Sequence, residues 1–70
     1  MRQLRLGVAG LGRAFTVMLP TFLRDPRLRL VGAAERMPAA RARFESDFGA
    51  PTYDSVEALC AAPNLDAIYV

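Results

Sequence analysis

Seventy residues make about half a typical domain, yet 53% of them are hydrophobic and 23% charged, the balance of a core-rich globular chain. All nine basic residues are arginines, scattered without aromatic interleaving at a net charge of +2, so no nucleic-acid surface is expected. With no lysine, no histidine and one cysteine, the segment has no Schiff-base lysine, imidazole proton shuttle, internal disulfide or cysteine metal cluster, and no metal site is expected.

Met1-Arg2-Gln3-Leu4-Arg5 is basic and an apolar stretch follows, as in a signal peptide. That stretch, Leu6 to Gly12, is cut short by Arg13, and no small-residue cleavage site follows at a suitable distance. A cytoplasmic protein without a membrane segment is therefore expected. The same residues read better as structure. Leu4 to Ala9 is a short apolar run of the kind buried on both faces of a parallel sheet. Gly10 and Gly12 follow where the strand must turn tightly, and a helix begins at about Arg13. Its free N–H groups and positive dipole end point back at the turn, which makes an anion site.

Phe15, Met18, Leu19, Phe22 and Leu23 recur at the spacing of one buried helix face. Pro20 falls inside that helix and predicts a kink or a loosened last turn. Asp25-Pro26 is a turn, and Leu28 to Ala34 is the second strand, ended by Glu35. Pro38 opens a second helix that runs to about Phe48 and is closed by Gly49, with Ala40, Phe44 and Phe48 inward. Arg41 with Glu45, and Arg43 with Asp47, are expected as exposed ion pairs. Thr52-Tyr53 is a brief extended segment. Asp54 and Glu57 have the spacing of a capping box for a short third helix, within which Cys60 is expected buried beside Val56 and Leu59. Ala67 to Val70 is a last strand. The alternation predicts an α/β, Rossmann-type, doubly wound parallel sheet in the order βαβαβαβ.

A glycine pair at a strand–helix turn is weak alone, since tight-turn chemistry explains it equally well. Here an apolar strand precedes it, an amphipathic helix follows, and a second strand ends on an acid. A carboxylate at Glu35 is placed to accept hydrogen bonds from both hydroxyls of an adenosine ribose. The candidate cofactor-binding residues are therefore Gly10, Leu11, Gly12, Arg13 and Ala14 around a pyrophosphate, with Glu35 and Arg36 at the ribose. Glu35 favours NAD, whereas Arg36 beside it could accept the 2′-phosphate of NADP. Arg13 is either a charge beside the pyrophosphate or a solvent-facing side chain. Phe15 stands where the dinucleotide fingerprint has a third glycine or an alanine. Its ring must either hold the helix off the strand or turn inward as core.

Gly7-Val8-Ala9-Gly10-Leu11-Gly12-Arg13, Leu19-Pro20, Leu30 to Arg36 with Pro38, Tyr53-Asp54-Ser55 and Leu65 to Val70 together resemble the N-terminal portion of the glucose-fructose oxidoreductase / inositol dehydrogenase / MocA family. Gly10 to Phe22 is also similar to its phthalate dihydrodiol dehydrogenase-like branch. The resemblance covers essentially the whole chain. It implies an NAD(P)-dependent dehydrogenase acting on a sugar, a polyol or a related cyclic alcohol. It also implies that the rest of the Rossmann domain and a C-terminal α/β domain lie beyond residue 70, and that this second domain mediates a homo-oligomer. The family's Glu-Lys-Pro segment would fall there too, so no catalytic residue is assigned within this chain. A non-catalytic nucleotide-binding sensor on the same fold, and a methyltransferase with a glycine-rich first turn, are the rival readings. The acid expected near the end of a methyltransferase's first strand is missing from Leu6 to Ala9.

Overall fold

The computed structural model describes residues 3–70, so Met1 and Arg2 of the basic opening weighed as a signal peptide lie outside the described residues. Seven elements follow in the predicted order: β1 (Leu4–Ala9), α1 (Arg13–Arg24), β2 (Leu28–Ala34), α2 (Pro38–Phe48), β3 (Thr52–Tyr53), α3 (Val56–Cys60) and β4 (Ala67–Tyr69). The strands form one parallel sheet in the order β3-β2-β1-β4. This is a Rossmann-like α/β arrangement. Strand order reverses between β1 and β4.

Successive side chains on a strand point to opposite faces. Leu6 and Val8 therefore share one face of β1, where they pack in a single cluster with Phe15, Phe22, Phe44 and Ala33. That face carries α1 and α2. The aromatic rings interlock, with centroids 6.1 Å apart for Phe15–Phe44, 6.4 Å for Phe15–Phe48 and 4.8 Å for Phe44–Phe48. Gly7, between Leu6 and Val8, faces the other way. A methyl group added there would lie 2.6 Å from Leu65 Cδ1 and 3.2 Å from Leu59 Cδ1. Leu59 of α3 is completely buried on this second face. A register shift between Leu6 and Gly7 skips Val31 and sets Gly7 opposite Gly32. Leu59 thus sits over two bare backbones at once.

Loops are fixed by side chains that bond the main chain. Arg5 donates through Nε and Nη2 to the Asp66 carboxylate, 3.0 Å in each case, and Asp66 also accepts from the Arg5 N–H at 2.8 Å. This bidentate pair holds the start of β4 against β1. Asp25 closes the α1–β2 turn by accepting from the N–H of Arg27 at 2.9 Å and from its guanidinium. Gly49, at φ +62°, ends α2 in the left-handed conformation expected of it.

Several expectations need correcting. Leu23 is exposed, not part of the α1 face, because it lies about 100° round the helix from the buried Phe22. Cys60 is exposed for the same reason beside Leu59. The cap of α3 is Ser55, whose Oγ accepts from the Ala58 N–H at 3.1 Å, one position later than the Asp54–Glu57 spacing suggested. Arg43 pairs with Asp47 at 3.8 Å as expected, but Arg41 turns to the β2–α2 loop and Glu45 accepts from the Thr52 hydroxyl. Helix α1 continues past Pro20 to Arg24.

Two measurements check these features. Gly7→Val should destabilise the protein by about 1–3 kcal/mol in urea unfolding, since it overpacks the seat of Leu59; an unchanged midpoint would place α3 elsewhere. The Asp25 carboxyl is lowered from 3.8 to about 2, first by the Arg27 side-chain hydrogen bonds. A depressed carboxylate contributes its stability in full above its unfolded value, near pH 4, and loses it as the pH falls towards 2. The Asp25 carboxyl carbon should accordingly titrate near pH 2 by NMR, and move up towards 3.8 in Arg27→Met.

Candidate functional site

The candidate site grows from the carboxyl end of β1. Gly10 takes φ +93°, a conformation that costs any residue with a Cβ, and its N–H donates to the Ala34 carbonyl at 2.8 Å. The turn is thereby stitched to the end of β2. Gly12 is the N-cap of α1, and its carbonyl accepts from the Thr16 N–H at 3.1 Å, the first bond of the helical ladder. The N–H groups of Arg13, Ala14 and Phe15 precede that ladder and have no partner within the helix. No acidic residue stands in the first turn of α1, and the cap makes no side-chain bond. A Cβ built at Gly10 or Gly12 meets no atom within 4 Å, so the space over the turn is open.

Glu35 comes to this turn from the end of β2. Its Oε1 accepts from the Leu11 N–H and its Oε2 from the Met37 N–H, each at 2.9 Å. Its own N–H donates to the Tyr53 carbonyl at 2.9 Å, which fixes the base of the side chain against β3. The Met37 and Leu11 N–H donors hold the carboxyl below the usual carboxylate range against a smaller opposing effect of burial. It is ionised at neutral pH and half-buried. A cleft of about 540 Å³ opens beside it at the carboxyl ends of the strands. Ala9, Gly10, Ala34, Glu35, Arg36 and Val70 line its strand side.

Of the residues singled out from the sequence, Gly10, Leu11, Gly12 and Glu35 are brought together as one turn and its carboxylate. Arg13 and Ala14 are exposed at the start of α1, and the Leu11 side chain lines a separate apolar groove between α1 and α2. Arg36 borders the cleft with its side chain exposed. Phe15 takes the inward course. It is 7% exposed and fills the space between α1 and α2. Arg41 was not foreseen here: its Nη1 donates to the Glu35 carbonyl at 2.8 Å and the Arg36 carbonyl at 2.9 Å. A signal existed, because a cation near the N-terminal end of a helix opposes the helix dipole and calls for a local acceptor.

Residues 4–70 match the sequence profile of an oxidoreductase family with an NAD-binding Rossmann fold, the Gfo/Idh/MocA family. The chain belongs to that family. A curated relative, 1-carboxy-3-chloro-3,4-dihydroxycyclohexa-1,5-diene dehydrogenase from Comamonas testosteroni, is 43% identical over 68 residues, which cover 96% of this chain and 17% of that protein. A 3-ketoreductase from Actinomadura kijaniata, solved with NADP and TDP-benzene, superposes with a TM-score of 0.86 at 27% identity over 99% of this chain and 22% of that one. The WlbA dehydrogenase from Bordetella pertussis, solved with NADH and UDP-GlcNAcA, gives the same TM-score and identity over 99% of this chain and 20% of that one. The chain thus spans about a fifth of the length of these relatives. Membership accounts for the parallel order β3-β2-β1-β4 as that of a Rossmann fold. Among the described residues no helix is long and apolar enough to cross a membrane.

Gly10→Ala tests the turn apart from any ligand. Nothing crowds the position, so the whole cost should come from φ, about 1–2 kcal/mol of stability in denaturant unfolding. A neutral substitution would mean that Gly10 does not hold a positive φ.

Proposed function

We propose that the chain is the nucleotide-binding segment of an NAD-dependent dehydrogenase that moves hydride to or from a cyclic dihydrodiol-type alcohol, a sugar or a polyol. One observation carries the reading. A carboxylate from the end of β2 sits 2.9 Å from the N–H of Leu11, in a turn whose glycines leave open space in front of a helix N-terminus. A dinucleotide presents this pairing of groups, a pyrophosphate anion and a ribose diol.

The residues present fit that cofactor. The N–H groups of Gly12, Arg13 and Ala14 would hold the pyrophosphate, with the α1 dipole favouring its charge. A Cβ at Gly10 or Gly12 would stand in the space the phosphates require. Glu35 would accept from the ribose hydroxyls, since each carboxylate oxygen keeps a lone pair beyond the backbone bond it already accepts. Bound there, NAD supplies a hydride acceptor at its nicotinamide ring. Glu35 disfavours a 2′-phosphate by charge, which makes NAD the preferred cofactor over NADP, and Arg36 stands at the cleft edge as the counterweight. The dihydrodiol class rests on the Comamonas testosteroni relative, and the sugar class on the nucleotide-sugar complexes of the structural neighbours. The catalytic residues, a second α/β domain and the contacts of a homo-oligomer would then belong to chain beyond residue 70, in a cytoplasmic protein.

Calorimetric titration of the full-length protein tests the reading. NAD⁺ should bind, and Glu35→Ala should weaken it roughly 10- to 100-fold, the range expected for hydrogen bonds to a charged acceptor. Equal affinity in the two proteins would remove Glu35 from the site.

A further inference from the structure

Arg41 is on α2, one turn past the β2–α2 loop, yet its guanidinium reaches back to that loop. Both bonds leave from Nη1, to the successive carbonyls of Glu35 and Arg36 at 2.8 and 2.9 Å. We propose that Arg41 is a positioning residue that makes the site select a free ribose 2′-hydroxyl over a 2′-phosphate, by locking the loop that carries Glu35. The inference rests on the assignment of Glu35 to the ribose.

The locking follows from the bonds. Glu35 is held at four points by four parts of the chain. Its N–H is held by Tyr53 of β3, its carbonyl by Arg41 of α2, Oε1 by Leu11 of the glycine turn and Oε2 by Met37 ahead of α2. The side chain therefore cannot yield by a rotamer change alone. Swinging the carboxylate away from an incoming phosphate breaks both N–H bonds. Moving the peptide instead breaks the Arg41 bonds. A 2′-hydroxyl asks for neither movement, because it donates to a carboxylate that is already in place. A 2′-phosphate must displace the carboxylate or lie against its charge. Arg36 is the group that would draw a phosphate in, and Arg41 pins the Arg36 carbonyl too. Arg41 thus acts through Glu35 and Arg36, the two residues whose carbonyls it holds.

The test uses the full-length protein and measures dissociation constants for NAD⁺ and NADP⁺ in the wild type, Arg41→Met, Arg41→Lys and Glu35→Ala. Hydrogen exchange at the Leu11 and Met37 amides is followed without nucleotide. Arg41→Met keeps the aliphatic stem and removes the donors. It should weaken NAD⁺ roughly tenfold, leave NADP⁺ unchanged or tighter, and speed exchange at both amides. Arg41→Lys, with donors on a flexible stem, should restore part of the NAD⁺ preference. An NAD⁺/NADP⁺ ratio within about twofold of the wild type in Arg41→Met would overturn the proposal. Equal weakening of both nucleotides would do the same, since that is what loosening of the fold alone produces. If Arg41→Met fails to fold, Arg41→Lys and Arg41→Gln decide by the same ratio. Loss of NAD⁺ affinity in Glu35→Ala beside a neutral Arg41→Met ends this inference and leaves the cofactor site standing. Unchanged affinity in Glu35→Ala ends both.

Discussion

Leu59 resting on the bare backbones of Gly7 and Gly32 is the contact from which the architecture follows. A side chain on Gly7 would stand between α3 and the sheet, whereas a methyl group on Gly32 would just touch Leu59 at 3.4 Å. Without it, α3 approaches close enough to bury Leu59 completely, although the helix has only five residues and little surface to offer. The opposite face is filled in the contrary manner, by bulky rings from α1 and α2. One face uses absence of side chains and the other uses volume. Helices on both faces force the chain to cross the sheet edge after β3, and so place β4 on the far side of β1. The crevice of a doubly wound sheet forms where the strand order reverses, at the carboxyl ends of the strands.

The electrostatics of that crevice are assembled from distant positions. Helix α1 begins with no acid in its first turn and no capping side chain, so its positive end is not compensated from within. Glu35, 24 positions after Leu11, supplies a carboxylate there instead. The same two oxygens tie the glycine turn to the start of α2, so the acid is a strut as well as a charge. Arg41 completes the arrangement by donating to the two successive carbonyls of Glu35 and Arg36 in the loop.

Much of this was legible in the sequence because it depends on local rules. Strand β1, the glycine turn, the Pro38 start and Gly49 end of α2 and the run of alternating elements are each set by periodicity or by backbone preference. Glu35 was legible because its distance from the turn is set by the length of a helix and a strand. What escaped depends on three dimensions. Asp54 and Ser55 are both good caps, and only the direction in which α3 enters decides between them. Cys60 and Leu23 sit one residue beyond a buried neighbour, where periodicity has an uncertainty of one step. Phe15 breaks a fingerprint, and its inward course required knowing that Phe44 and Phe48 lie across from it. Arg41 had a local partner on paper in Glu45, but the loop carbonyls offered it two acceptors together.

The register of the sheet has a consequence for how the protein is made. β1 is synthesised before both strands that flank it, and the Arg5–Asp66 clasp that fastens β4 to it joins residues 61 positions apart. At translation rates of about 5–20 residues per second, β1 waits roughly 3–12 s for its second neighbour. During that interval one row of the backbone donors and acceptors of β1 lacks its partner strand, and the face of Gly7 lacks the Leu59 and Leu65 side chains that cover it. An inner strand of the sheet thus stands as an open edge until β4 has been made.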